Sequence, residues 1–156
     1  MISLTGIPVG TQRLLFVMKV LLVEDNAADV RLTREAFREA GVDHILDVVM
    51  DGTLAIDYLR RANGFESVSL PHIVLLDLNL PGKSGREVLR EIKTDALLLY
   101  IPVIVVSNSQ ATEDVDAVYR LHGNGYLTKP EDFDDFVEMI RSLSDFWLRR
   151  VRLPGN

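Results

Sequence analysis

The chain has 156 residues, of which 47% are apolar and 26% are charged, and its formal net charge is −6. These values are ordinary for one globular domain, and the acidic balance argues against a nucleic-acid-binding surface. Because the chain contains no cysteine, disulfides and thiolate metal sites are excluded, which fits a reducing, cytoplasmic setting. The longest apolar stretch, residues 14–23, contains Lys19 and falls short of the ~20 apolar residues of a membrane helix, so no membrane partner is expected.

The first 17 residues differ in pattern from the remainder. They contain Gly6, Pro8 and Gly10 and show no hydrophobic period, and Met18 looks like a second start. We therefore interpret residues 1–17 as an N-terminal extension that is either peripheral or not native. The folded domain is predicted to span residues 18–153, with an extended last helix.

From Val20 onward, short apolar runs alternate with stretches of helical period. The runs lack polar alternation, which is typical of parallel strands covered by helices on both faces. The predicted strands are residues 20–23, 44–50, 73–76, 102–107 and 125–128. The predicted helices are residues 27–40, a helix around 54–59, 86–94, a helix capped by Thr112 and a long helix over 133–151. Five strand–helix units predict a doubly wound five-stranded parallel sheet of the α/β class.

Polar side chains lie at the carboxyl ends of four of these strands. Listed in chain order, they are Glu24, Asp25, Asp77, Ser107 and Lys129. Because the carboxyl ends of parallel strands meet at one edge of the sheet, we expect these side chains to converge there. Taken singly, an acidic residue after a strand is usually a helix cap and a Lys-Pro pair is usually a turn. Their joint occurrence favours a functional site.

The predicted cluster suits phosphoryl chemistry. Three crowded carboxylates repel one another unless a cation neutralises them, and oxygen ligands without Cys or His point to Mg²⁺. Ser107 and Lys129 supply a hydroxyl and an ammonium that can donate to phosphoryl oxygens, and Asp77 can accept a phosphoryl group as an aspartyl phosphate.

Four segments, residues 20–26, 76–85, 106–107 and 126–130, resemble the receiver domain of two-component response regulators. The resemblance covers residues 19–142 and implies a flavodoxin-like (βα)₅ fold. Residues 101–109, 126–130 and 145–147 are similar to the stand-alone regulators that partner phytochrome kinases. The resemblance thus implies a single-domain regulator in a phosphorelay, phosphorylated by a phytochrome-type sensor histidine kinase, with output through protein–protein contact.

The resemblance also implies the roles of individual acidic residues. Asp77 would be the phosphoacceptor. Mg²⁺ would be held by Asp25, Asp77 and the backbone carbonyl of Asn79, with Glu24 acting largely through water.

The remaining site residues concern the switch and the lifetime of the phosphate. By resemblance, Ser107 and Tyr126 would be the switch residues, and Lys129 would be the partner of the phosphate. Asn79 and Ser109 would flank the path of an attacking water and so set the lifetime of the phosphate. The family's bond from Lys129 to the following proline is cis.

Two other functions remain open at this point. One is a Mg²⁺-dependent phosphohydrolase that uses Asp77 as a transient nucleophile, although Asn79 stands where such enzymes carry a second acid. The other is an interaction module that is not phosphorylated, which the acidic pair and Lys129 disfavour. We expect a phosphoacceptor switch and not an enzyme.

The apolar pattern of the last helix continues further along the chain than packing against a single core requires. It includes Phe146, Trp147, Leu148, Val151 and Leu153. The resembled subfamily pairs through the fourth helix, fifth strand and last helix, so a two-fold homodimer is expected there. The alternative is a tail that folds back on its own domain.

Overall fold

A computed structural model describes residues 17–154, which form a single five-stranded sheet. The strands are β1 (Met18–Val23), β2 (His44–Val49), β3 (Ile73–Leu76), β4 (Val103–Ser107) and β5 (Gly125–Thr128). Their order in the sheet is β2-β1-β3-β4-β5, and every neighbouring pair is parallel. The predicted doubly wound sheet is confirmed.

Helices cover both faces of the sheet. They are α1 (Ala27–Glu39), α2 (Gly52–Arg60), α3 (Gly85–Thr94), α4 (Thr112–Arg120) and α5 (Phe133–Ser144). Leu21 and Val23 of β1 belong to the core under α2, α3 and α4, whereas Val20 and Leu22 belong to the core under α1 and α5. The strands read as unbroken apolar runs because alternate side chains enter two different cores.

Polar side chains cap most of the helix starts. Asn26 caps α1, Asp51 caps α2, and Ser84 and Glu87 form a reciprocal capping box on α3. The prediction for Thr112 is wrong: it is the first residue of α4, and the cap position is Ala111, which has no side-chain acceptor.

The chain after α5 does not continue as one regular helix. A π-helical segment, Asp145–Arg150, follows Ser144, and Val151 is already extended. Leu153 is only 7% exposed and joins the core on the α1 and α5 side, while Phe146 remains 56% exposed. The tail therefore folds back on its own domain at Leu153, yet it leaves one large aromatic side chain in solvent.

The predicted N-terminal extension lies outside the described residues, apart from Val17. Among residues 17–154, none of the helices is long and apolar enough to cross a membrane.

Candidate functional site

The sheet brings the ends of β1 and β3 side by side, at the point where the strand order reverses. Val23 pairs with Leu76, and the N–H of Asp77 donates to the carbonyl oxygen of Val23 at 3.0 Å. On the other side, the N–H of Glu24 donates to the carbonyl of Val49 at 3.1 Å. The carboxyl side chains of Glu24 and Asp77 are both buried. This is the crevice in which open parallel sheets bind ligands.

The loop after β3 is closed tightly over Asp77. A Cβ atom on Gly85 would lie 2.2 Å from the carbonyl oxygen of Asp77, so only glycine fits at the start of α3. The N–H of Gly85 donates to the carbonyl of Leu78 at 2.9 Å, and the N–H of Asn79 donates to Oδ1 of Asp77 at 2.9 Å. One oxygen of the Asp77 carboxylate is thus fixed by its own loop.

Lys129 fixes the other oxygen. Its Nζ lies 2.7 Å from Oδ2 of Asp77, 2.9 Å from Oε2 of Glu24 and 2.9 Å from Oδ2 of Asp29, and its side chain is 8% exposed. The backbone N–H of Lys129 donates to the carbonyl of Ser107 at 2.8 Å. Within residues 17–154 every peptide bond is trans, so the expected cis bond after Lys129 is absent. The trans form is the intrinsically preferred one, and the lysine side chain reaches all three carboxylates from it.

The close contacts shift the pKa values of the groups in this cluster in different directions. Burial, together with the hydrogen bond to Asp77, raises the pKa of Glu24 to about 7, although Lys129 acts against the rise. Burial also acts to raise the pKa of Asp77, but hydrogen bonds with Glu24, Lys129 and the N–H of Asn79 outweigh it and bring that pKa below its usual value. Burial acts to lower the pKa of Lys129, and its three carboxylate contacts reverse this and raise it. Asp77 is therefore held ionised beside a cation.

The carboxylates fit a divalent cation. Oxygen atoms of Glu24, Asp29 and Asp77 lie within 4.8 Å of one another, and hard oxygen donors suit Mg²⁺ or Mn²⁺. The sequence analysis missed Asp29. It belongs to the first turn of α1, and a helix that follows a strand begins at the same edge as the site. Asp25 is exposed and is not part of this group, and Asn79 is also exposed, so their roles as metal ligands stay predictions.

The two residues predicted to act as the switch, Ser107 and Tyr126, lie on the neighbouring strands. Leu76 pairs with Val105, so Ser107 is one residue further along the sheet edge than Asp77. The Ser107 side chain is buried, and its Oγ accepts a hydrogen bond from the N–H of Ser109 at 3.2 Å. The hydroxyl of Tyr126 donates to the backbone carbonyl of Ser109 at 2.8 Å. The Ser109 hydroxyl itself donates to Asp114.

Known proteins resemble this chain over most of its length. The chain matches the family of response regulator receiver domains over residues 20–141. This chain is a response regulator receiver domain. The receiver is 44% identical to the response regulator Rcp1 of Synechocystis over 136 residues, which is 87% of this chain and 92% of that protein. The resemblance stated from sequence is confirmed.

Two solved structures show how closely the receiver follows this group. The phosphorylated cyanobacterial phytochrome response regulator RcpA is 43% identical and superposes with a TM-score of 0.85 over 90% of this chain and all of that one (100%). The Mn²⁺-bound form of Rcp1 is 43% identical, with a TM-score of 0.82 over 88% of this chain and 99% of that one. One of these relatives is thus described with bound Mn²⁺, and the other in a phosphorylated form.

Proposed function

We propose that this receiver is a phosphorylation switch in which a partner histidine kinase transfers a phosphoryl group to Asp77. The observation that carries the proposal is the buried carboxylate of Asp77 at the sheet edge, 2.7 Å from the ammonium of Lys129 and beside Glu24. Output passes by protein–protein contact, in the cytoplasm and within a phosphorelay. No specific observation favours a phosphohydrolase, and the receiver family supports the switch.

The transfer needs an ionised nucleophile and donors for the phosphoryl oxygens. An oxygen of Asp77 forms a bond to phosphorus while the bond from phosphorus to the imidazole nitrogen of the kinase phosphohistidine breaks, and the imidazole leaves with the electron pair. The lowered pKa of Asp77 keeps this carboxylate deprotonated at neutral pH. Lys129 and Ser107 can donate to the outer phosphoryl oxygens.

The donor set supports Mg²⁺ as the resident cation. Glu24, Asp25, Asp77 and the carbonyl of Asn79 would hold it, with Asp29 as an additional carboxylate. Its charge would offset the negative charge of the phosphoryl oxygens.

Phosphorylation changes the charge that Lys129 meets. The acyl phosphate brings about −1.5 to −2 charges to a site where Lys129 is shared among three carboxylates. We expect Lys129 to turn toward the phosphate and Ser107 to donate to it, which moves the loop after β4. Tyr126 contacts that loop through Ser109 and would transmit the movement.

The kinase is proposed to be of the phytochrome type. Relatives with about the same fold and 43% identity include a regulator described as a cyanobacterial phytochrome response regulator. Transfer from such a kinase, measured with its light state as the variable, tests the partner separately from the phosphoacceptor.

We also propose a homodimer through α4, β5 and α5. Between these elements lies a groove of about 540 Å³, lined by aromatic and apolar side chains that include Tyr119, Tyr126, Leu127, Met139 and Phe146. Tyr119 and Phe146 are 52% and 56% exposed, respectively. A second copy of the chain, related by a two-fold axis, would bury both.

The phosphoacceptor is tested with Asp77→Asn, which nearly preserves shape and removes the nucleophilic oxygen. Incubation with phosphoramidate and Mg²⁺ should add one phosphoryl group to the wild type, detected by intact mass, and none to Asp77→Asn. Asp116→Asn on the exposed side of α4 serves as the matched control and should be labelled like the wild type. Full labelling of Asp77→Asn would refute the assignment.

A further inference from the structure

Ser109, in the loop between β4 and α4, is held by hydrogen bonds on every side. Its N–H donates to Oγ of Ser107 at 3.2 Å, and its carbonyl accepts from the Tyr126 hydroxyl at 2.8 Å. Its own hydroxyl donates to Oδ2 of Asp114 and accepts from the N–H of Ala111 at 3.2 Å. The hydroxyl proton of Ser109 is therefore already donated to Asp114 on α4.

Asp114 joins this loop to the start of α3, which lies next to the site. Its other oxygen, Oδ1, accepts from the guanidinium of Arg86. Arg86 directly follows Gly85, the residue packed against the carbonyl of Asp77. A continuous chain of contacts thus runs from the start of α3, through Arg86, Asp114 and Ser109, to the hydroxyl of Ser107. The hydrogen bonds from Ser109 and Arg86 lower the pKa of Asp114, which keeps this acceptor ionised.

The contact to Ser107 has a chemical consequence. A serine hydroxyl has one proton and two lone pairs. The N–H of Ser109 occupies one lone pair of Ser107, so the hydroxyl proton is kept out of that direction and its choice of orientation is narrowed before any phosphoryl group arrives. Pre-oriented donors are the ones that lower the barrier, because they need not reorganise during the reaction.

We propose that Arg86 and Asp114 are positioning residues for phosphoryl transfer: they fix Ser109, whose N–H in turn orients the Ser107 hydroxyl to donate its proton to the phosphoryl group. The inference rests on the proposed function of Asp77. It also changes the role expected of Ser109, which acts through its backbone and not by guiding an attacking water with its hydroxyl.

The test compares Asp114→Ala with Glu113→Ala. Both acids lie in the first turn of α4, so both variants lose the same interaction with the helix dipole, but Glu113 is exposed. With phosphoramidate as donor and saturating Mg²⁺, Asp114→Ala should lower the maximal labelling rate about three- to tenfold, the effect of one weakened hydrogen bond. The half-saturating phosphoramidate concentration should stay unchanged, and Glu113→Ala should keep the wild-type rate.

Further variants separate positioning through Ser109 from simple loss of structure. Ser109→Ala leaves both helices intact and should slow labelling as much as Asp114→Ala, and the double variant should be no slower than either. The exchanged pair Arg86→Glu with Asp114→Arg keeps opposite charges on α3 and α4 but offers Ser109 no carboxylate, so it should remain slow.

Three outcomes would overturn the inference. These are equal rates for Asp114→Ala and Glu113→Ala, additive losses in the double variant with Ser109→Ala, and recovery of the wild-type rate in the exchanged pair. All of them presuppose a wild type that is labelled on Asp77. A wild type that takes no label on Asp77 would instead count against the proposed function, so the two failures are distinguishable.

Discussion

Replacing Lys129 by methionine should show how strongly its ammonium offsets the repulsion among the carboxylates of the site. The substitution keeps an unbranched side chain of similar length and removes the ammonium that contacts three carboxylates at 2.7 to 2.9 Å. The carboxylates then face one another without a cation. We expect the variant to fold less stably without metal and to bind Mg²⁺ more tightly than the wild type.

The expected magnitude follows from the geometry. Two unit charges 4.8 Å apart, the upper limit for the carboxylate oxygens here, repel by about 3.5 kcal/mol at an effective dielectric constant of 20. Part of this repulsion is relieved because Glu24, whose pKa is about 7, takes up a proton. Removing one partner of a buried ion pair typically costs about 3 to 5 kcal/mol, which corresponds to roughly 10 °C in melting temperature for a domain of this size.

Two measurements check the prediction for Lys129→Met. Thermal unfolding at pH 7.5 in EDTA should show the loss in melting temperature, and a Mg²⁺ titration by calorimetry should show a dissociation constant about tenfold lower than that of the wild type. The second effect is expected because the ammonium competes with the metal for the same oxygens.

A matched control removes a lysine with one carboxylate partner. Lys83 pairs with Glu91 at the surface, where such pairs contribute about 0 to 1 kcal/mol, so Lys83→Met should change little. If Lys129→Met melts with the wild type in EDTA, or binds Mg²⁺ with unchanged affinity, the ammonium does not offset the carboxylate repulsion and the reasoning is refuted.

Three further predictions use the same chain. The raised pKa of Glu24 means that between pH 4.5 and about 7 the folded state holds a proton that the unfolded state has lost, so the free energy of unfolding in EDTA should fall by about 3 kcal/mol as pH rises through this window; a Glu24→Gln variant with the same slope in urea titrations would contradict it. Deleting residues 1–17 should shift the melting temperature by less than about 2 °C, because Gly6, Pro8 and Gly10 interrupt any apolar period, and a loss of several degrees would show a docked segment. Phe146→Glu should shift the wild-type dimer to monomer in sedimentation at tens of micromolar, whereas a monomeric wild type, phosphorylated or not, would rule the dimer out.

The sequence by itself determined the sheet and the edge where the site lies. Unbroken apolar runs require a sheet buried on both faces, and right-handed crossovers then place all strand ends on one side. Ser107 is the last residue of its strand, and Glu24, Asp77 and Lys129 each follow a strand directly, so their convergence is a consequence of topology and needs no knowledge of packing.

The tertiary structure decided which side chains meet at that edge. Asp25 and Asp29 are both acidic and close in sequence, yet Asp25 precedes the cap of α1 and faces solvent, whereas Asp29 lies on the first helical turn and reaches Lys129. The direction of a side chain depends on the phase of its helix against the sheet. That contact joins residues 100 positions apart in sequence, and local pattern carries no signal for it.

Tertiary packing also decided the contacts of Ser109 and the course of the chain after α5. In the sequence, Asp114 is only an acid in the first turn of α4, where it suits the helix dipole, and its contacts to Arg86 and Ser109 depend on how α3 and α4 pack. Leu153 continued an apolar pattern that a longer helix or a returning tail would satisfy equally well. The π-helical segment after Ser144 and the extended chain that follows bring Leu153 into the core. Burial of that side chain depends on the tertiary packing around it, which an apolar sequence pattern does not specify.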